Sequence, residues 1–271
     1  MRLFLEPGLG SSFSELLGRC EPGLLPRFAV EGAEGAAHPA GPPPGAEAPH
    51  GTTILALQYR DGVVIAGDRQ ATEGYQVAHR RIEKVFKTDD HSAIAIAGAA
   101  GPCLEMAKLY QTELAHYEKL EGVVLSLEGK ANKLAQMIRM NLPAALQGLV
   151  VIPIFVGYDL RADCGKIFKY DVTGGRYEEI DFYATGSGGK DARGTLKRIF
   201  RPGFDEAEAL RAAAEALVDA AEEDVGTAGP DFVRGIFPTV KLVRRDGITD
   251  VPDARVREVC QQVVEARRRA A

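Results

Sequence analysis

Thr52 follows Gly51 at an abrupt change in composition, and together with a lysine, an aspartate and a glycine downstream it can be read as one reaction centre. A threonine hydroxyl is a weak nucleophile and needs a base. If the chain is cut between Gly51 and Thr52, the freed α-amine of Thr52 supplies that base from within the same residue. A lysine cation nearby lowers the cost of forming the alkoxide and helps keep the amine neutral. An aspartate would hold the lysine, and backbone N–H groups would receive the charge of a tetrahedral intermediate.

Lys84 and Asp68 are the candidates for the charged pair. In Arg81-Ile82-Glu83-Lys84-Val85-Phe86, strand alternation places Lys84 on one face with Ile82 and Phe86. A buried face there would require a partner for the cation; an edge strand would leave it in water. Asp68 ends the run Val63-Val64-Ile65-Ala66-Gly67 and shares a face with Val64 and Ala66, so it points inward or simply closes the strand in a turn. Gly98, in Ala97-Gly98-Ala99-Ala100-Gly101, stands where a strand gives way to a helix. Such a junction offers N–H groups to an oxyanion, or a glycine that merely permits the bend. Asp224 sits at the C-terminal end of a helical segment, against the macrodipole, which hints at another partner. Thr185-Gly186-Ser187-Gly188-Gly189 lacks the spacing and lysine of a phosphate-binding loop.

The elements that must position these residues are legible from periodicity. From Thr52 the pattern is strand: Thr52–Arg60 and Val63–Arg69 flank an Asp61-Gly62 turn, a strong hairpin signal. Both strands are almost continuously apolar, as in a sheet covered on both faces. A further strand is expected over Arg81–Thr88 and another over Ser92–Ala97. Helical periodicity follows, with Cys103, Ala107, Tyr110, Leu114 and Tyr117 on one face, then Leu127, Ala131, Leu134, Ile138 and Leu142 on another. Strands return over Leu149–Tyr158, Lys166–Asp171 and Asp181–Ala184. A second helical pair spans Gly189 to Phe200 and Asp205 to Glu223. Phe237–Arg244 and Ile248–Val251 form a last hairpin, and a helix follows from Asp253 to about Arg268. This order predicts an α+β chain in which two antiparallel sheets stack between two helical layers.

Residues 31–51 are nearly all Ala, Gly, Pro and Glu, a composition expected to stay flexible; a short helical turn is expected over Ser11–Leu17. The domain reading is therefore a leader over 1–51 and a folded unit over 52–271. With 45% apolar and 26% charged residues and a net charge of −5, the chain has no electrostatic footprint for nucleic acid or an anionic membrane. Its cysteines, Cys20, Cys103, Cys164 and Cys260, lack zinc or redox spacing, which predicts a reducing compartment and no metal. No signal-peptide core or membrane-span run is evident, so a soluble, cytoplasmic protein is expected, with no cofactor.

Taken together, Thr52-Thr53-Ile54, Val64-Ile65-Ala66-Gly67-Asp68, Lys84, Ile96-Ala97-Gly98, Gly186-Ser187-Gly188 and Asp224-x-x-Thr227 resemble the active β subunits of 20S proteasomes. The segment Gly229 to Thr239 is similar to the actinobacterial type. The resemblance covers about residues 52 to 255 and implies the N-terminal-nucleophile hydrolase fold, a four-layer αββα sandwich. It implies Thr52 as nucleophile, Asp68 and Lys84 as the charged pair, Gly98 N–H as oxyanion donor, and Ser187, Asp224 and Thr227 as supporting residues. It also implies autolytic cleavage of Gly51–Thr52. By the same carry-over Ala71, Ile82, Phe86, Ile96, Ala100 and Leu104 surround the side chain before the cut, which predicts cleavage after large apolar residues. Substrate backbone is expected to add as a strand beside Thr72, Gly98 and Ala100. Partners implied are proteasome α subunits, further copies in heptameric rings, a ring ATPase and unfolded protein substrates.

Three alternatives share parts of this pattern. The bacterial two-tier peptidase HslV resembles the chain at Thr52-Thr53-Ile54, Ala66-Gly67-Asp68 and Gly186 to Gly189, but not in its long leader or in the segment from Asp224 to Thr239. A non-catalytic scaffold subunit would lack a processable Gly-Thr. A small-molecule amidase of the same fold would usually begin with serine or cysteine.

Overall fold

A computed structural model describes residues 51–74 and 76–270; all of the expected leader over 1–51 except Gly51, including its helical turn at 11–17, lies outside them. The strands are β1 (Thr53–Tyr59), β2 (Gly62–Gly67), β3 (Ala71–Glu73), β4 (Gln76–His79), β5 (Val85–Lys87), β6 (Ser92–Gly98), β7 (Val151–Asp159), β8 (Cys164–Tyr170), β9 (Arg176–Glu179), β10 (Phe182–Gly186), β11 (Thr239–Arg244) and β12 (Gly247–Asp250). The helices are α1 (Ala100–Glu121), α2 (Leu127–Met140), α3 (Leu142–Ala145), α4 (Gly189–Ile199), α5 (Glu206–Glu223) and α6 (Asp253–Ala270).

One sheet has the order β10-β1-β2-β11-β12 and the other β5-β6-β7-β8-β9, with antiparallel pairing throughout both. Alternation along the apolar strands feeds separate cores. Ile54, Ala56, Val63 and Ile65 of the first sheet meet Ala93, Ala95, Ile154, Val156 and Ile167 of the second. Leu55, Leu57, Val64 and Ala66 face the other way, into α4, α5 and α6 through Leu196, Leu210, Leu217 and Cys260. On the opposite side Ile94, Ile96, Phe155 and Phe168 pack on α1 and α2 through Met106, Tyr110, Leu134 and Ile138. The result is helix, sheet, sheet, helix, the expected αββα sandwich. Strands buried on both faces have no polar side to show, which is why their sequences are continuously apolar.

The expected strand over Arg81–Thr88 is shorter, only Val85–Lys87. Ile96 N donates to Lys84 O at 3.0 Å, and N-terminal to that bond the chain leaves β6, opening a cleft between residues 82–84 and the start of α1. Without a ladder partner, residues 81–84 take no strand conformation, although Lys84 does point inward. The ribbon β3–β4, the strand β9 and the short α3 were not anticipated. β3 and β4 span only three and four residues, and the exposed β4 has no apolar alternation for a pattern to reveal. Among the described residues, no helix is long and apolar enough to cross a membrane.

Candidate active site

Thr52 lies at the head of β1, between the two sheets and beside the N-terminus of α1. Its side chain is nearly enclosed, at 5% exposure. The chain runs unbroken from Gly51 into Thr52. The Thr52 hydroxyl donates to the Gly51 carbonyl oxygen at 2.5 Å, and the Lys84 ammonium donates to the same oxygen at 3.1 Å. The carbonyl of the bond before Thr52 is thus polarised by a cation while the candidate nucleophile touches it.

Lys84 is held by Asp68, Nζ to Oδ1 at 2.6 Å, with side chains 5% and 0% exposed. Every acceptor direction of Asp68 is used: Oδ1 also accepts from Thr53 N at 2.8 Å, and Oδ2 from Gln70 N at 2.9 Å and Ala228 N at 3.2 Å. A carboxylate that accepts this many N–H bonds offsets its own desolvation, and this makes the buried pair tenable. Burial nevertheless holds the Lys84 pKa below the ordinary 10.5, with Asp68 opposing that shift. A lysine in this setting can shed its proton more readily than one in water.

A second polar chain approaches Thr52 from the other side. Thr52 N donates to Ser187 Oγ at 3.1 Å. Ser187 Oγ donates to Asp224 Oδ2 at 2.5 Å, and Thr227 Oγ1 donates to the same oxygen at 2.6 Å. Asp224 caps α5, and its Oδ1 accepts from Gly226 N at 3.0 Å. These are the partners that its unfavourable place at a helix C-terminus suggested.

Gly98 ends β6 at φ +130°, and a Cβ there would lie 2.0 Å from Val150 O. No other residue fits. The bend it permits leads into α1, whose N-terminal end supplies a favourable field for an anion.

The cleft next to Thr52 is lined by Ala71, Ile82, Ala100 and Leu104, and also by Cys103 and Glu83, which the sequence did not single out. Burial pushes the Cys103 thiol up to about 12, so it behaves as an apolar wall. Phe86 and Ile96 do not line the cleft. Both belong to the core under α1 and α2, because β5–β6 pairing sets Phe86 opposite Ile94 on the helix side of the sheet. Thr72 faces the chain at Gly51 instead, where its hydroxyl would be 2.4 Å from a Cβ.

Sequence reasoning gave no positioning role to Gln70, whose Nε2 donates to Val225 O at 3.0 Å and ties the Asp68 turn to the loop after α5. It missed Gly226, packed against Gly51, although a glycine two residues beyond a helix end is a signal that could have been followed.

The family described as Proteasome subunit matches residues 48–232 of the chain. A protein named Proteasome subunit beta from Acidimicrobium ferrooxidans is 58% identical over 222 residues, 82% of this chain and 81% of the relative. Its namesake from Acidothermus cellulolyticus is 54% identical over 269 residues, 97% and 89% of the two chains. Proteasome subunit beta 2 of Thermomonospora curvata is 50% identical over 258 residues, 95% and 89% of the two chains. With the αββα sandwich, the polar cluster around Thr52 and likeness over nearly the whole length, the chain belongs to the proteasome subunit family, among its β subunits.

Proposed function

We propose that this chain is a catalytic β subunit, a threonine endopeptidase activated by cleavage of its own Gly51–Thr52 bond. The observation that carries the reading is the convergence of the Thr52 hydroxyl and the Lys84 ammonium on the Gly51 carbonyl oxygen. In activation Thr52 Oγ1 attacks the Gly51 carbonyl carbon, and the C–N bond breaks. The nitrogen takes the hydroxyl proton to become a free amine. Water then hydrolyses the Gly51 ester, releasing residues 1–51 as a carboxylate and restoring the hydroxyl.

In the mature chain the same oxygen attacks a substrate carbonyl, and the α-amine takes its proton and passes it to the leaving amine. Water then releases the acyl group. Lys84 stabilises the nucleophile's developing charge, Asp68 holds Lys84, and Gly98 N–H receives the oxyanion. Ser187, with Asp224 and Thr227 behind it, orients the amine.

As a proteasome β subunit the chain is assigned to rings with α subunits and further copies of itself. Seven-membered rings, a ring ATPase that feeds unfolded chains, and a cytoplasmic location complete the reading. The cleft predicts cuts after large apolar residues. Intact mass of the assembled protein tests the whole: the wild type should lose residues 1–51, and Thr52→Ala should keep them and hydrolyse no peptide. A Thr52→Ala variant that is still cut at Gly51 would sink the autolytic reading.

A further inference from the structure

Thr53, the residue after the proposed nucleophile, is fully buried and belongs to both polar clusters at once. Its N–H donates to Asp68 Oδ1 at 2.8 Å, and its hydroxyl lies 2.6 Å from Thr227 Oγ1. The first contact is made by the backbone and is independent of residue type. The second needs a hydroxyl at position 53.

The sense of that second bond follows from its neighbours. An ionised carboxylate only accepts, so Ser187 and Thr227 both give their single protons to Asp224 Oδ2. With its proton committed, the Thr227 oxygen faces Thr53 as an acceptor, and Thr53 is the donor. The proton order is Thr53 to Thr227 to Asp224 on one side and Ser187 to Asp224 on the other, with Thr52 N–H donating into Ser187. The Thr53–Thr227 end is dry, since both residues are buried and a Cβ on Gly188 would come within 2.4 Å of the Thr53 hydroxyl. The Ser187 end is exposed.

We infer that the Thr53 hydroxyl is a positioning group for the reaction: through Thr227 it sets how Asp224 shares its charge, and hence how Ser187 holds the Thr52 amine as an acceptor and not as a donor. The inference rests on Thr52 being the nucleophile. Hydrogen-bond chains polarise one another, so a donor behind Thr227 strengthens the Thr227–Asp224 bond and disperses the carboxylate's charge. Without it, more of that charge bears on Ser187 and the amine beyond. A more negative surrounding favours the ammonium form, in which the amine cannot take the hydroxyl proton.

Thr53→Ala removes the hydroxyl without crowding Thr227, Thr53→Ser keeps it, and Thr53→Val replaces it with a methyl. In assembled, leader-free particles, Thr53→Ala should lower kcat for a peptide substrate about tenfold with little change in KM, and move the acidic limb of the kcat/KM profile to higher pH. Thr53→Ser should restore both. If the alanine variant does not assemble, Thr53→Val carries the same comparison against serine. Because Thr53 acts through Thr227, adding Thr53→Ala to Thr227→Ala should cost nothing further. A Thr53→Ala enzyme with the wild-type pH profile overturns the inference, as does a double variant whose losses multiply. If Thr52→Ala retains activity, the nucleophile assignment itself fails; if that variant is dead and Thr53→Ala is unchanged, only the role of Thr53 does.

Discussion

Gly51 and Gly226 meet backbone to backbone: a Cβ built on either would lie 2.8 or 2.7 Å from the other's α-carbon. Gly51 also has φ +96°, a conformation that side chains other than glycine rarely accept. The residue before Thr52 is therefore held by the loop after α5 on one side and by the Thr72 hydroxyl on the other. Gly51→Ala should displace the carbonyl from Lys84 and slow removal of the leader at least tenfold, read by intact mass over a time course of assembly. Gly226→Ala should do the same from the opposite side. Processing at the wild-type rate in both would show that the contact does not position the bond.

The buried Lys84–Asp68 pair sets a second expectation. Removing one partner of such a pair costs about 3–5 kcal/mol, because a charge is left buried alone. Asp68→Asn should therefore destabilise the chain strongly and abolish peptide hydrolysis. Its pH dependence has a definite sign. With the Lys84 pKa below 10.5 in the native state, the folded protein binds fewer protons than the unfolded one between those two values, and stability rises with pH there. Loss of Asp68 lowers the native value further and extends that window downward. Urea unfolding at fixed protein concentration should show a larger deficit for Asp68→Asn at pH 7 than at pH 9.5. An equal deficit at both would contradict the assignment.

Ala71, Ile82, Ala100 and Leu104 line the cleft beside Thr52. Each methylene of a substrate side chain accommodated there is worth about 1–3 kcal/mol, or about 10- to 200-fold in kcat/KM. Peptides with Leu, Phe or Tyr before the cut should be hydrolysed well, and those with Asp or Lys poorly. Ala100→Phe should depress the large apolar substrates more than one with Ala at that position. A wild-type preference for acidic or basic residues would contradict this account of the cleft.

Glu83 precedes Lys84, and its Oε1 is buried without a hydrogen-bond partner among the described residues. Burial raises its pKa above the ordinary 4.5, outweighing Lys241 and Arg69, which pull it down. The native state thus binds more protons than the unfolded one just above pH 4.5, and the associated stability, full below that value, is lost as pH rises through the raised one. Glu83→Gln removes the buried charge and should increase the thermal midpoint at pH 7.5, with the gain vanishing near pH 4. A gain of the same size at both values would point to packing instead.

The two-faced apolar strands and paired amphipathic helices made the four layers readable in advance, because burial on both sides of a sheet leaves a pattern in each strand alone. For Lys84 the pattern left two readings open, a buried face or an exposed edge, and the fold decided for burial. The end of β5 was not. Whether residues 81–84 pair depends on where β6 and α1 leave room, and nothing within 81–84 records that. Phe86 and Ile96 have the right chemistry for a pocket wall but face the α1–α2 core, since a face assignment does not say which layer lies beyond it.

From the chain by itself came the residue types and their order: a threonine after glycine where the composition changes, a lysine and an aspartate that alternation allowed to face inward, a glycine at a strand-to-helix junction. Those are local properties, written in periodicity and in the conformations each residue permits. Tertiary structure alone decided that Gly226 closes on Gly51 and that Thr53 reaches Thr227, 174 residues away. Such contacts depend on the register of β1 against β10 and on where α5 stops, and a chain pattern carries no information about separations in space. For the same reason the Lys84 cation, predicted to need a partner, had its partner and its target oxygen named only when β2, the 82–84 segment and Gly51 were brought to one point.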